Sequence, residues 1–159
     1  MFTYQINVEY LGSNFVGWQF QKNGVSVQEV LEKALSKFLK DKIKVIGSGR
    51  TDAGVHAKEQ SAHFDYNIKI KKKNKFLKSI NHFLRNENIT ILNLRRRDGN
   101  FHARFSAKMR IYNYIIINRL GQPTLEKNRC WHVMKKLDLD MMKKGAKKFI
   151  GTKDFSTFR

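Results

Sequence analysis

The chain has 159 residues, 41% of them hydrophobic and 12% aromatic, enough for one domain, or one domain and part of a second, with a real core; this excludes a disordered chain. Its 32 Lys and Arg against 13 Asp and Glu leave a net charge of +19, which opposes compaction and points to a polyanionic partner. No segment reaches the ~18 apolar residues of a spanning helix, so nucleic acid stands ahead of a membrane, and the expectation is a soluble, cytoplasmic protein.

The N-terminus does not read as a signal peptide, because Thr3 to Tyr10 alternate polar and apolar residues and predict a strand. The loop LGSNFVGWQFQKNG follows, with glycines beside Trp18, Gln19 and Phe20. In SVQEVLEKALSKFLK, Ser26 and Glu29 have capping-box spacing, and Val27, Val30, Leu31, Ala34, Leu35, Phe38 and Leu39 form one apolar stripe; a helix is predicted. A strand is expected around Ile43 to Ser48, and another where Gln60, Ala62 and Phe64 alternate with Ser61, His63 and Asp65. The basic run KIKKKNK (Lys69 to Lys75) leads to a second helix with Phe76, Leu77, Ile80, Phe83 and Leu84 on one side, and Ile89 to Arg96 predicts a further strand.

The order β-α-β-β-α-β predicts an α+β, ferredoxin-like (split β-α-β) domain with an antiparallel sheet, one face under the helices and the other free as a platform for nucleic acid. Beyond Arg95, Arg96 and Arg97, FHARFSA reads as irregular, and MRIYNYIIIN (Met109 to Asn118) predicts a strand whose Tyr112 and Tyr114 face away from the more apolar side. Pro123 falls in the loop after it. Asp138 to Ile150 predicts a third helix, weakened by Gly145.

Cys130 is the single cysteine, which rules out an internal disulfide and a cysteine zinc site; beside Trp131 it reads as a small core residue. The five histidines show no ligand spacing, so no metal is expected.

Gly47 to His56 read GSGRTDAGVH. A Walker loop or a Rossmann fingerprint needs glycine spacings that Gly47, Gly49 and Gly54 do not provide. Two readings remain for Asp52: a turn in which it caps the backbone, or an oriented carboxylate acting as nucleophile or base. Arg50, two residues earlier, favours the charged form. Aromatic and basic residues also recur together in GWQFQK, FHARFS and RIYNY, where rings could stack on an unstacked base beside cations for phosphate. Core packing is the alternative for each ring taken singly.

GRTDAGVHA, the upstream YLGSNFVGWQFQ and SVQE, the downstream FHARFSA with its Tyr-x-Tyr strand, and GTKDFSTFR together resemble the tRNA pseudouridine synthase A (TruA) family. The resemblance runs in order over essentially the whole chain. It implies a catalytic aspartate at Asp52, an active-site arginine at Arg50, and at Tyr112 a tyrosine that packs against the target base. It further implies isomerisation of uridine to pseudouridine on the 3′ side of the tRNA anticodon stem-loop, by homodimers, with neither cofactor nor metal. Gln19, Lys71, Lys72, Arg104 and Arg110 are the expected RNA-binding residues, and the glycines of the motif are expected to let a flipped nucleotide approach Asp52. By the same resemblance, residues 1–107 form the ferredoxin-like catalytic-loop domain and 108–159 the beginning of a second α/β domain that continues in the family. Two other readings are a non-catalytic RNA-binding fragment and a nucleoside hydrolase, for which no second acid lies near Asp52 in sequence.

Overall fold

In the computed structural model, which describes residues 1–158, the predicted element order is observed: β1 (Phe2–Tyr10), α1 (Val27–Leu39), β2 (Ile46–Gly47), β3 (Ala57–Tyr66), α2 (Lys73–Leu84) and β4 (Ile89–Arg97). The strands pair antiparallel in the order β2-β3-β1-β4, the split β-α-β arrangement. Two units are distinguished, one ending at Ile111 and one beginning at Tyr112.

Alternation along β1 sends Tyr4, Ile6, Val8 and Tyr10 to one face, where they meet Val27, Leu31 and Leu35 of α1 and Phe76, Ile80 and Leu84 of α2 in one buried cluster. Each such aliphatic side chain contributes about 1.5–3 kcal/mol on burial. Ile91 and Leu94 of β4 are three residues apart, so a regular strand would point them to opposite faces. Both are nevertheless buried, because β1 pairs Asn7 with Asn93 and then Val8 with Ile91, leaving Leu92 as an extra, exposed residue.

Helix α1 begins at Ser26, whose hydroxyl accepts from the Glu29 amide at 3.2 Å. The Glu29 carboxylate turns instead to Lys33 at 2.6 Å, so only half of the expected capping box forms. The expected strand at Ile43 to Ser48 shrinks to Ile46–Gly47 for a local reason. Side chains of α1 take the backbone donors that a ladder would use: Ile43 N–H donates to Ser36 Oγ and Val45 N–H to Glu32 Oε1, each at 2.9 Å. Ile43 and Val45 are buried all the same.

The face away from the helices is not free, contrary to expectation. Phe101 to Ser106 fold over its centre, where the Ala103 amide donates to Nδ1 of buried His63 at 3.1 Å and the rings of Phe101 and His102 stand edge-on to it. Around that point the sheet carries cross-strand polar pairs, Thr3 to Asp65 at 2.6 Å, Gln5 to Ser61 at 2.7 Å and Arg97 to Gln5 at 2.7 Å.

In the second unit, β5 (Ile116–Asn118) pairs parallel with β6 (Trp131–Val133), and α3 (Leu139–Lys147) starts at Asp138, whose Oδ1 accepts from the Asp140 and Met141 amides at 3.0 and 2.9 Å. The strand expected over Met109 to Asn118 is therefore corrected to its last three residues. Alternation sets which side chains share a face, but a strand forms only where a ladder partner exists, and among the described residues β6 is the partner, opposite Ile116 to Asn118 alone. The core reading of Cys130 is corrected too, since the cysteine is half-buried and Trp131 is exposed.

A pinned aspartate loop as the candidate active site

Asp52 stands in the loop between β2 and β3, at the end of the sheet where β1 finishes. Its backbone opens a turn: the Val55 amide donates to the Asp52 carbonyl at 3.3 Å, and Gly54 takes φ +77° at the third position, where a side chain would be strained. The carboxylate itself is exposed. Among the described residues it accepts no hydrogen bond and pairs with no cation, so the turn uses the Asp52 backbone and not its side chain. Arg50, two residues earlier, forms no ion pair with it; the ion pairs among the described residues are Lys33 with Glu29 and Arg129 with Glu126.

The loop is gripped by the segment that follows β1. Trp18 N–H donates to the Thr51 carbonyl at 3.0 Å, Gly54 N–H to the Phe15 carbonyl at 3.3 Å, and Gly12 N–H to Nδ1 of His56 at 2.9 Å. Gly17 has φ +117°, and a Cβ there would lie 2.5 Å from the Thr51 carbonyl; a Cβ at Gly12 would collide with the Val55 carbonyl. LGSNFVGW and GRTDAGVH thus brace each other, backbone against backbone. Of the motif's glycines, Gly47 and Gly49 serve contacts within the protein, since a Cβ at Gly47 would sit 2.5 Å from the Trp18 ring and Gly49 faces the Arg110 guanidinium, while a Cβ at Gly54 would meet nothing within 4 Å. Trp18, only 3% exposed, is core and offers no ring for stacking.

Several expected residues gather here. Arg110 Nη2 donates to the Ser48 carbonyl at 2.5 Å and reaches the Arg104 carbonyl at 3.5 Å, strapping the segment after Phe105 to the loop. Arg104 is exposed with its guanidinium 5.9 Å from the Phe105 ring centre, while Arg50 and Gln19 are exposed beside Thr51 and Trp18. Lys71 and Lys72 lie elsewhere. β3 carries the chain away from Asp52, and its ten residues span roughly 30 Å before the lysines at the start of α2. Tyr112 opens the second unit and is exposed.

Sequence reasoning overlooked His63. Burial holds its imidazole below the ordinary 6.5, and His102 adds to this, against the Asp65 carboxylate and a hydrogen bond to the Ile46 backbone. It also overlooked Tyr10 and Gln60, whose side chains meet beneath the loop. The one signal for Tyr10 was its place as the last alternating residue before Gly12.

The site is thus a free carboxylate on a glycine-braced loop at the end of a split β-α-β sheet. The family model for tRNA pseudouridine synthase matches residues 6–106, and the chain belongs to that family. Over 159 residues it is 61% identical to the tRNA pseudouridine synthase A of Pelagibacter ubique strain HTCC1062, covering 100% of this chain and 65% of the relative. It is 45% identical to the protein of that name from Anaplasma phagocytophilum strain HZ, covering 98% of this chain and 64% of the relative. With that of Thermoanaerobacter sp. strain X514 it shares 46% identity over 97% of this chain and 62% of the relative. The chain thus spans a little under two thirds of the length of these relatives.

Proposed function

We propose that this chain carries the catalytic aspartate of an enzyme that isomerises uridine to pseudouridine in tRNA, on the 3′ side of the anticodon stem-loop. The observation that carries the proposal is the Asp52 carboxylate, unengaged on a loop whose backbone is fixed from two sides. Such a group is oriented before substrate arrives, which is where much of the rate of a positioned reaction comes from. Family membership and the charge of +19 support tRNA as the substrate.

The reaction breaks the C1′–N1 bond of uridine and forms C1′–C5, after which a proton leaves C5. Asp52 acts at the sugar, as nucleophile on C1′ or as the base that accepts a sugar proton. The uridine must leave its stack first, at a cost of a few kcal/mol that contacts to the flanking backbone offset. In this reading Arg50, Arg104 and Gln19, all exposed, supply such contacts, and Lys71 and Lys72 hold phosphates further along a tRNA-sized ligand. Arg110, engaged on two carbonyls, acts mainly as a strap. Tyr112 is the group that packs against the detached uracil and a candidate for the proton transfer. Homodimeric assembly and a cytoplasmic setting belong to the same proposal, and neither cofactor nor metal is part of it.

Incubation of the protein with an unmodified tRNA transcript, followed by carbodiimide-based detection of pseudouridine, tests this. Product in the anticodon arm is expected. Release of free uracil would indicate a hydrolase, and salt-dependent binding without product would leave an RNA-binding module.

A further inference from the structure

We infer that Tyr10, Gln60 and Thr51 form a positioning relay that sets the Asp52 loop for catalysis, an inference that rests on the proposed role of Asp52. Tyr10 is 3% exposed, its ring 6.0 Å from that of Trp18, and its hydroxyl donates to Gln60 Oε1 at 3.1 Å. The same hydroxyl lies 2.9 Å from Thr51 Oγ1, and Gln60 Nε2 donates to the Gly49 carbonyl at 2.8 Å. A phenol carries one proton, and Gln60 receives it; the Thr51 hydroxyl must therefore be the donor to Tyr10. The relay thus has one sense: Thr51 to Tyr10, Tyr10 to Gln60, Gln60 to the Gly49 backbone.

Its two ends hold the residues on either side of Arg50, one of them adjacent to Asp52. Its middle is anchored in the sheet: Gln60 pairs with Val8 in β1, and Tyr10 pairs with Ala57 across a register shift, so both point to the core side. Packing alone does not call for these polar atoms, since Phe and Leu would fill the same space without needing partners. What they add is a directional link from the most rigid strands to the loop, and linked hydrogen bonds of one sense strengthen one another.

The test uses Tyr10→Phe, Gln60→Leu, Thr51→Val and Thr51→Ser in the full-length protein. Tyr10→Phe, Gln60→Leu and Thr51→Val are expected to lower kcat for pseudouridine formation about 10- to 100-fold with KM for tRNA and the thermal midpoint close to wild type, because small misplacement of a reacting group is costly. Thr51→Ser keeps the donor and is expected to recover most of the rate. Independently of turnover, the Gly54 and Val55 amides are expected to exchange hydrogen faster in Tyr10→Phe. Wild-type kcat or wild-type exchange in Tyr10→Phe overturns the relay, as does a loss of kcat that merely follows a loss of thermal midpoint. Absence of pseudouridine formation by the native protein would overturn the proposed function instead, and amide exchange would then decide the relay by itself.

Discussion

Up to Ile111, four strands turn alternate side chains under two helices; from Tyr112 onward, no described residue is buried. The two regions use different means to hold their elements. In the first, burial dominates, and even irregular stretches such as Ile43 to Val45 are tied down by side chains of α1. In the second, local polar contacts dominate: Asp138 caps α3, and Asn118 bonds the Val133 and Lys135 carbonyls at 2.7 and 2.8 Å and the Leu137 amide at 3.1 Å. Such contacts contribute about 1 kcal/mol each, and a nine-residue helix is marginal without a buried face. Preorganisation of Asp52 therefore comes from the first region, where the loop has a core to be fixed to.

Core truncation is expected to separate the two regions most strongly. Leu35→Ala in α1 is expected to cost about 2–5 kcal/mol in urea unfolding, because its side chain is wholly buried and leaves a cavity. In this 159-residue chain, Met141→Ala in exposed α3 is expected to change stability by no more than about 0.5 kcal/mol. Equal costs would dissolve the distinction between the regions.

A smaller effect concerns His63, which sits in the first region but under Phe101 to Ser106. Its imidazole is held below 6.5 in the folded protein, so on acidification the unfolded chain takes up the proton first. Stability is therefore full above about pH 6.5 and declines as pH falls below it toward the folded value. The urea midpoint should drop between about pH 7 and about pH 5, and His63→Gln should flatten that slope. An unchanged slope in the variant would mean that Phe101 to Ser106 do not keep the ring from solvent.

How far these features were legible depended on whether they were periodic. β1, β3, α1 and α2 follow from period-2 and period-3.6 patterns, and their order implied the sheet. β2 was overestimated because nothing in Ile43 to Ser48 reveals that Ser36 and Glu32 take its backbone donors. Met109 to Asn118 was overestimated because alternation carries no information about a missing partner. At the site, Asp52 and Arg50 were visible as residue types in a glycine-rich loop, but their relation was not: near in sequence, they form no ion pair. The bracing of Gly12 and Gly17 against Val55 and Thr51 is a contact between distant backbones, and only the glycines themselves hinted at it. That the helix-free face is covered is not visible in FHARFSA, an irregular segment whose fold back onto His63 is a contact between residues distant in sequence.

The most direct measurement is pseudouridine formation and tRNA affinity in Asp52→Asn, which keeps size and removes the charge at an exposed position whose side chain makes no hydrogen bond or ion pair with the described residues. Product is expected to fall to background while Kd for tRNA stays within about threefold of wild type and unfolding is unchanged. Turnover retained in Asp52→Asn would rule out Asp52 as the catalytic group.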